Sequence, residues 1–245
     1  MSGPALRSLL WPAIASLTGI AALAALGVWQ LERLAWKEAI IARIDARVKA
    51  PPIAVPGEAD WPRLMSEDYD YRHVSVTGSF EHGKEALVFR NLEISRVNEG
   101  GPGFLVLTPL RLEGGAAVIV NRGFVPQARS DPAKRAAGQI AGPVTITGLM
   151  RPPETRNLFT PADDPAKGLW FTRDPAAIAA HFKLARAAPF TIDADAAPGA
   201  GSGPQGGVTV LAIPNSHLSY ALTWFALALT LAAVFAAFAL KRLRA

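Results

Sequence analysis

The sequence contains no cysteine, and this absence excludes several kinds of chemistry. A disulfide framework, a thiolate metal site, covalent haem attachment through Cys-x-x-Cys-His and copper transfer between paired thiols all require cysteine. Any metal must therefore be held by histidine, by carboxylate or by a cofactor. Three of the four histidines, His73, His82 and His181, are too scattered along the sequence to predict a metal site.

The sequence also lacks the common catalytic signatures. It has no Gly-x-Ser-x-Gly elbow, no His-Glu-x-x-His pair and no phosphate-cradling glycine loop. The net charge of +5 is modest, and no run of Lys and Arg alternates with aromatic residues to follow a phosphate backbone. We therefore predict a protein that is not an enzyme and whose basic residues meet anionic lipid instead of nucleic acid.

Charged residues are absent from a long apolar run near the C-terminus, Leu218–Leu240. As a helix this run is long enough to cross about 30 Å of hydrocarbon. No Lys or Arg occurs between Ala187 and Leu240, whereas positions 241, 242 and 244 are all basic. This asymmetry predicts a transmembrane helix with a cytoplasmic C-terminus.

A second charge-free run, Leu9–Val28, lies near the N-terminus. Its "AALAALG" segment is also compatible with a cleavable signal peptide, because small residues are what signal peptidase accepts. The run is longer than the usual signal core, however, and it continues into "WQLERLAWKEAIIARI" without a turn residue. We therefore interpret it as an uncleaved anchor, which together with the C-terminal span leaves both ends of the chain in the cytoplasm.

The expected architecture is an α+β membrane protein in which two transmembrane helices flank one mainly antiparallel β domain, barrel-like or sandwich-like, with a short helix. The expected segments are a cytoplasmic N-terminus (1–8), the first transmembrane helix (9–29), an amphipathic stalk helix (30–50), a periplasmic β domain (51–216), the second transmembrane helix (217–240) and a cytoplasmic C-terminus (241–245).

Period-two alternation supports the β domain. "YRHVSVTGSF" and "EALVFRN" form one predicted hairpin, and "FLVLTPLRL" and "AAVIVNRGFV" form another across Gly114 and Gly115. Further strands are predicted at "PVTITGLM", "LWFTRD", "PFTID" and "GVTVLAI", whereas "PGAGSGPQGG" indicates a flexible loop. The short helix is predicted at "DPAAIAAHF", with Asp174 as the N-cap and Pro175 at the first helical position.

Two helical faces carry candidate functional residues. On the stalk, Trp29, Arg33 and Trp36 share one face, while at the second span His217, Tyr220 and Trp224 share another, beside a strip of alanines. Neutral imidazole is an axial ligand of haem iron, and an alanine strip beside aromatic residues would admit a flat macrocycle. The alternative for both faces is an aromatic belt at the lipid headgroups, with Arg33 extending its charge to water.

The remaining polar candidates predict structural roles. We expect His73, His82 and His181 to be solvated or in the core. Arg122 is expected to close its strand by binding backbone carbonyls, with partner binding as the alternative.

Four segments resemble the surfeit-locus family of cytochrome c oxidase assembly factors: "GVWQLERLAWKEAII", "YRHVSVTGSF", "VIVNRGFVP" and "PNSHLSYALTWF". They occur in the order in which the family has them and cover almost the whole chain. Arg122, Gly123 and Pro126 match the family's Asn-Arg-Gly-x-x-Pro turn. Ser216 departs from the family pattern, where a second Asn is frequent, and the departure leaves His217 in place.

The resemblance implies a protein that binds haem a transiently and assists its delivery to the catalytic subunit of a haem-copper oxidase. It implies His217 as the axial ligand of the haem iron, with Tyr220 and Trp224 packing on the ring and Arg33, beside Trp29 and Trp36, pairing a propionate. Haem a synthase is the second expected protein partner. The two rival functions are a haem-independent scaffold for an oxidase subunit and an enzyme acting on lipid or cofactor at the outer side of the membrane.

The length of the segment before the first span bears on localisation. Mitochondrial relatives carry an Arg- and Ser-rich leader there, whereas about eight residues precede the span in this sequence. We therefore expect the bacterial cytoplasmic (inner) membrane, with the main domain in the periplasm.

Overall fold

The structure is a computed structural model, and it describes residues 3–93, 97, 100–196, 203–209, 211 and 213–244. The chain divides into two compact units. The first combines residues 1–43 with residues 211–245, and the second comprises residues 44–210. Two long helices build the first unit, and a β-sheet builds the second.

The two long helices are α1, Gly3–Lys49, and α4, His217–Arg244. Both are long and apolar enough to cross a membrane, which indicates a membrane protein. The helix α1 runs without interruption through the expected boundary between span and stalk. It ends shortly before Pro51 and Pro52, which have no backbone N–H to continue a helix.

Small residues let α1 and α4 approach each other closely. A Cβ atom added to Gly27 would lie 2.6 Å from the ring of Phe225, and one added to Gly19 would lie 2.9 Å from Leu231. On α4, Ala221 and Ala228 are buried. Glycine and alanine are common where helices pack in a membrane, because they bring the two backbones into van der Waals contact.

Among the described residues of the second unit, eight strands form one sheet in the spatial order β1-β2-β6-β8-β5-β4-β3-β7. The strands are β1 Ile53–Ala54, β2 His73–Phe80, β3 Ala86–Leu92, β4 Gly101–Arg111, β5 Ala117–Pro126, β6 Pro143–Arg151, β7 Leu169–Trp170 and β8 Ala187–Ala194.

A short additional pairing closes five of these strands into a barrel. The end of β2 pairs with β4 through Ser79↔Arg111 and Phe80↔Leu110, so that β2, β6, β8, β5 and β4 form a ring. Most neighbouring pairs are antiparallel, and β5 pairs with β8 in parallel. The expectation of a barrel-like antiparallel domain is thus confirmed, as is the turn at Gly115, where φ is +82°.

Alternation along the strands separates two hydrophobic cores. The barrel interior is filled by Phe190 and by side chains such as Val118 and Val120, with Trp61 and Tyr69 contacting the ring of Phe190. The residue between the two valines, Ile119, points to the other face and joins the second core. The strand β5 is therefore buried on both faces, which explains its continuous apolar sequence.

The second core is covered by the predicted short helix α3, Pro175–His181, through the fully buried Ile178. Its expected cap is confirmed, because Asp174 accepts hydrogen bonds from the backbone N–H groups of Ala176 and Ala177. The sequence did not indicate α2, Ser66–Tyr69, or the 3₁₀ helices Glu58–Arg63, Gln127–Arg129, Pro132–Gly138 and Pro165–Lys167.

One hairpin prediction and two strand predictions need correction. The predicted hairpin of "YRHVSVTGSF" with "EALVFRN" does not form, because β2 pairs with β1, β6 and β4, whereas β3 pairs with β4 and β7. In "LWFTRD" only Leu169 and Trp170 are extended, because the Phe171 N–H donates to Asp163 and Asp174 then starts a helix. In "GVTVLAI" the described residues form no strand; Gly207 has φ +72°, a left-handed conformation that breaks a ladder. Residues 210 and 212 of that segment, and residues 198–202 of the predicted loop "PGAGSGPQGG", lie outside the described residues.

A buried ion pair joins β8 to the segment between β7 and α3. Asp193 on β8 accepts hydrogen bonds on both carboxylate oxygens from Arg173, at 2.9 and 3.0 Å. The same carboxylate accepts from the Asn121 amide at 2.9 Å and from the Thr209 hydroxyl at 2.8 Å. Asp193 and Arg173 are each at most 5% exposed, so each charge is stabilised by the other residue and not by water.

Substitution of Asp193 by Ala should therefore destabilise the second unit by about 3–5 kcal/mol, since it removes both carboxylate hydrogen bonds of a buried guanidinium and leaves it only the longer contact with Glu154, at 3.7 Å. Urea unfolding of the full chain in detergent, followed by the fluorescence of the buried Trp61 and Trp170, measures the change. Lys167→Ala, which breaks an exposed ion pair, is the control and should cost at most about 1 kcal/mol. A cost for Asp193→Ala no greater than that of the control would contradict the prediction.

Candidate functional site

His217 is the first residue of α4, and the preceding turn fixes where the helix begins. The side-chain oxygen of Asn215 accepts from the His217 N–H at 3.5 Å, and the carbonyl of Ser216 accepts from the Tyr220 N–H at 3.2 Å. Ser216 thus contributes its backbone, which any residue supplies. This explains how the chain tolerates a departure from the expected Asn at that position.

The imidazole of His217 is held by a side chain of the other helix. Its Nδ1 donates a hydrogen bond of 2.7 Å to the side-chain oxygen of Gln30, which is buried on α1. An amide oxygen only accepts, so this contact places a proton on Nδ1, and in the neutral imidazole the lone pair is then on Nε2. Among the described residues, Nε2 has no hydrogen-bond partner. The result is an oriented imidazole with one nitrogen available as a ligand.

The other two candidates on α4 differ in exposure. Tyr220 is 55% exposed, and Trp224 is partly buried. The alanine strip beside them is not open to a flat macrocycle, because Ala221 and Ala228 are buried. That part of the sequence hypothesis is wrong, since small residues on this face are used for helix packing. The aromatic surface next to His217 is therefore Tyr220 and the exposed part of Trp224.

The three candidates on α1 form a stack of their own. The guanidinium of Arg33 lies 5.7 Å from the ring of Trp29 and 5.3 Å from that of Trp36. These contacts use the faces of the cation and leave its N–H edges available. No hydrogen bond or ion pair of Arg33 is found among the described residues. The side chain that meets His217 is Gln30, and the sequence analysis did not select it.

The family model for the SURF1 family matches residues 17–229, which include most of α1, the whole β-sheet and the first part of α4. The chain belongs to the SURF1 family. It is 36% identical to mouse Surfeit locus protein 1 over 212 residues, which are 82% of this chain and 67% of the mouse protein. It is 35% identical to the human protein over 213 residues, 82% of this chain and 69% of the human one. A SURF1-like protein of Monosiga brevicollis is 38% identical over 216 residues, 84% of this chain and 80% of that protein.

Metal ligands of this SURF1-family chain do not cluster. No group of three or more His, Asp or Glu side chains that would hold a metal ion is found in the part of the chain that the structure describes. His181 is exposed on α3 and contacts the ring of Phe182, while His82 donates from Nε2 to the Ile140 carbonyl at 2.9 Å. His181 thus lies in the predicted short helix, and His82 lies in the turn between β2 and β3.

Arg122 has the expected backbone contact and a further partner. It donates to the Gly138 carbonyl, which confirms the predicted strand closure, and to Glu85 at 3.0 Å. Burial and the neighbouring guanidinium of Arg135 lower the pKa of Arg122, and Glu85 opposes both effects. A cavity of about 410 Å³ opens beside Arg122, and its lining includes none of the six candidates on the two long helices.

His73 on β2 binds two acceptors at once. Its Nδ1 donates to the Ala50 carbonyl at 2.9 Å, and its Nε2 donates to Asp195 at 2.8 Å. Two donated hydrogen bonds require a proton on each nitrogen, which is the charged form. Burial lowers the pKa of His73, but the hydrogen bonds to Asp195 and to Ala50 outweigh it, so the pKa is raised.

This raised pKa predicts a pH-dependent stability. The folded chain binds the His73 proton more tightly than the unfolded chain does, so the stabilisation is complete below about pH 6.5 and is lost as the pH rises through the folded-state pKa above that value. The loss should be about 1 kcal/mol, the size of one hydrogen bond. Urea unfolding at pH 6 and pH 8 should show this loss in the unaltered chain and in the His181→Gln control, but not in His73→Gln. An identical pH dependence in all three would remove the assignment.

Proposed function

We propose that this chain is a cytochrome c oxidase assembly factor that binds haem a through His217 and assists its delivery to the catalytic subunit of a haem-copper oxidase. SURF1 proteins are known as cytochrome oxidase assembly factors, which supports the first part. The observation that supports the second is the hydrogen bond from Nδ1 of His217 to Gln30, which leaves Nε2 as a free nitrogen donor.

The donor set fits a haem ligand. A histidine that binds a metal through one nitrogen ordinarily donates its other N–H to a carbonyl or carboxylate, which fixes the tautomer and the ring orientation. Gln30 supplies that acceptor to His217. When bound, haem a contributes an iron centre that accepts an axial nitrogen ligand. A single imidazole ligand favours reversible binding, and hence transfer, over a closed pocket with two histidine ligands.

Haem a is amphiphilic, with an apolar macrocycle and charged propionates, and the candidate residues suit both parts. Tyr220 and Trp224 present aromatic surface for packing against a macrocycle. Arg33 is held between the faces of Trp29 and Trp36 while its N–H edges stay available, and these edges suit a propionate. In this proposal Arg33 orients the charged end of the cargo, and the aromatic residues bind its apolar end.

The proposed setting is the bacterial cytoplasmic membrane, with both termini in the cytoplasm and the β domain in the periplasm. The basic residues after α4, at positions 241, 242 and 244, support this orientation. In this setting His217 stands at the outer boundary of the lipid. Haem a synthase, as the source of the cargo, is a second proposed partner. No catalytic step is assigned to the protein itself, and a haem-independent scaffold for an oxidase subunit is the alternative function.

Substitution of His217 by Ala should remove the reduced haem a absorption band from the purified protein, because the iron loses its protein ligand. The full chain is isolated from cells that make haem a, and the band is compared at equal protein concentration. We expect the His181→Ala control to retain the band and His217→Ala to lose at least nine-tenths of it, a tenfold effect. Full retention in His217→Ala would remove the ligand assignment, and a colourless unaltered protein would favour the scaffold.

Gln30 provides a separate test, because in this proposal it orients the imidazole of His217 and does not itself bind the iron. Gln30→Glu keeps an acceptor for the Nδ1 proton and should retain haem a, whereas Gln30→Leu should weaken haem affinity by about 10–100-fold. Spectroscopic titration with haem a measures the affinity, and thermal unfolding shows whether the helix pair is intact. Leu31→Ala, at an exposed neighbour, is the control. Unchanged affinity in Gln30→Leu would reduce this contact to helix packing.

A further inference from the structure

The second unit contains a cavity of about 410 Å³ that the proposed function does not use. Its volume is in the range of sites that bind small molecules, roughly 300–1,000 Å³. Most of its lining is apolar, and Phe80, Ile140 and Ile146 are among the lining side chains. The charged side chain of Arg122, on β5, belongs to the same lining. We call this space the Arg122 cavity.

Arg122 is only 8% exposed, yet part of its hydrogen-bonding capacity is unused. Its Nη1 donates to Glu85 at 3.0 Å and to Nδ1 of His82 at 3.3 Å, and its Nη2 donates to the Gly138 carbonyl. A guanidinium has five N–H donors, so the Nε donor and one Nη2 donor have no hydrogen-bond partner in the part of the chain that the structure describes. Nε and Nη2 form one edge of the guanidinium, and a carboxylate fits such an edge with two parallel hydrogen bonds.

The charges buried beside the cavity do not balance. Arg135, which is 1% exposed, donates to Glu85 from both of its terminal nitrogens and to the Ser130 carbonyl. Arg122 shares the same carboxylate, so two guanidiniums and one carboxylate leave an excess of one positive charge. Burial and then the charge of Arg135 lower the pKa of Arg122, while Glu85 opposes both effects. A bound anion would neutralise the buried excess.

Asp195, the other charged residue in the described part of the lining, limits the charge that a ligand can carry. Its carboxylate accepts from Nε2 of His73 at 2.8 Å, so its charge is balanced within the protein. The excess that remains at Arg122 is matched by one carboxylate, whereas a phosphate monoester carries about −1.5 to −2 at pH 7. Asp195 would repel the additional negative charge. The arrangement therefore favours a monoanion.

We propose that the Arg122 cavity binds a small amphiphilic carboxylate, with the carboxylate on the free edge of Arg122 and the apolar body against Phe80, Ile140 and Ile146. The buried cation supplies charge-assisted hydrogen bonds, and the apolar lining supplies most of the contact area. This site shares no residue with the candidate haem site around His217. It goes beyond the proposed function and does not depend on it.

The test is a titration of the full chain in lipid nanodiscs at pH 7 with 4-phenylbutyrate, followed by ligand-observed NMR. The alcohol 4-phenylbutanol has the same apolar body without the charge, and we expect it to bind at least about tenfold more weakly, because a hydrogen bond to a charged group is lost. 4-Phenylbutyl phosphate should also bind more weakly than the carboxylate. Equal affinities for acid and alcohol, tighter binding of the phosphate, or no binding of 4-phenylbutyrate would each overturn the inference.

A pair of tryptophan variants locates the binding. Ala137 is exposed and lines the cavity, so Ala137→Trp fills part of the space without altering a core and should weaken 4-phenylbutyrate at least about tenfold. Ala136 is the neighbouring exposed residue and lies outside the described lining, so Ala136→Trp is the matched control and should bind as the unaltered chain does. The same affinity in the two variants would place the acid elsewhere and refute the site.

Arg122→Gln tests the charged end of the site. It should weaken 4-phenylbutyrate at least about tenfold and leave the affinity for 4-phenylbutanol unchanged, because only the acid uses the guanidinium. A misfolded variant would lose both ligands, and in that case the comparison of acid and alcohol on the unaltered chain decides. Unchanged affinity for the acid in a folded Arg122→Gln variant would remove Arg122 from the site.

Competition with haem a distinguishes a small acid from the propionates of the proposed cargo. We expect haem a to leave 4-phenylbutyrate bound and His217→Ala to bind the acid with unchanged affinity, because the two sites share no residue. Displacement of the acid by haem a would overturn the inference in favour of a second haem contact. Loss of haem binding by His217→Ala with retention of the acid would support both sites separately.

Discussion

The hydrogen bond between His217 and Gln30 is the interaction on which the candidate site depends. It joins a polar side chain of α1 to one of α4, and each would lose this partner if the other were removed. Gly27, one turn before Gln30, allows the approach because a side chain there would meet Phe225. The same contact that associates the helices also leaves Nε2 of the imidazole as the free nitrogen. One hydrogen bond therefore serves both helix packing and ligand orientation.

In the β domain, buried charged side chains have a structural role. Asp193 and Arg173 satisfy each other inside the sheet, and Glu85 is shared by two guanidiniums at the end of β5. Such pairs contribute little net free energy, but they are costly to break, so they favour one arrangement of the strands over others.

The sequence predicts much of this fold because local patterns decide it. The charge-free runs predict α1 and α4, alternation predicts the barrel strands from β2 to β6, and Asp174 with Pro175 predicts the start of α3. The sequence did not predict that the strand in "LWFTRD" is so short. Its end depends on Asp163, which lies outside that segment and accepts from the Phe171 N–H. Gln30 was missed for a related reason, since its role is visible only when α4 is beside α1. A lone amide one turn from Gly27 was the available signal.

The central claim is the protonation of His217 on Nδ1, and nitrogen NMR measures it directly. The full chain with ¹⁵N-labelled histidine is placed in lipid bilayers at pH 8, and the His217 signals are assigned by their loss in His217→Gln. We expect a protonated Nδ1 and an unprotonated Nε2 in the absence of haem a, and a shift confined to Nε2 when it is added. A proton on Nε2 in the haem-free protein would contradict the claim.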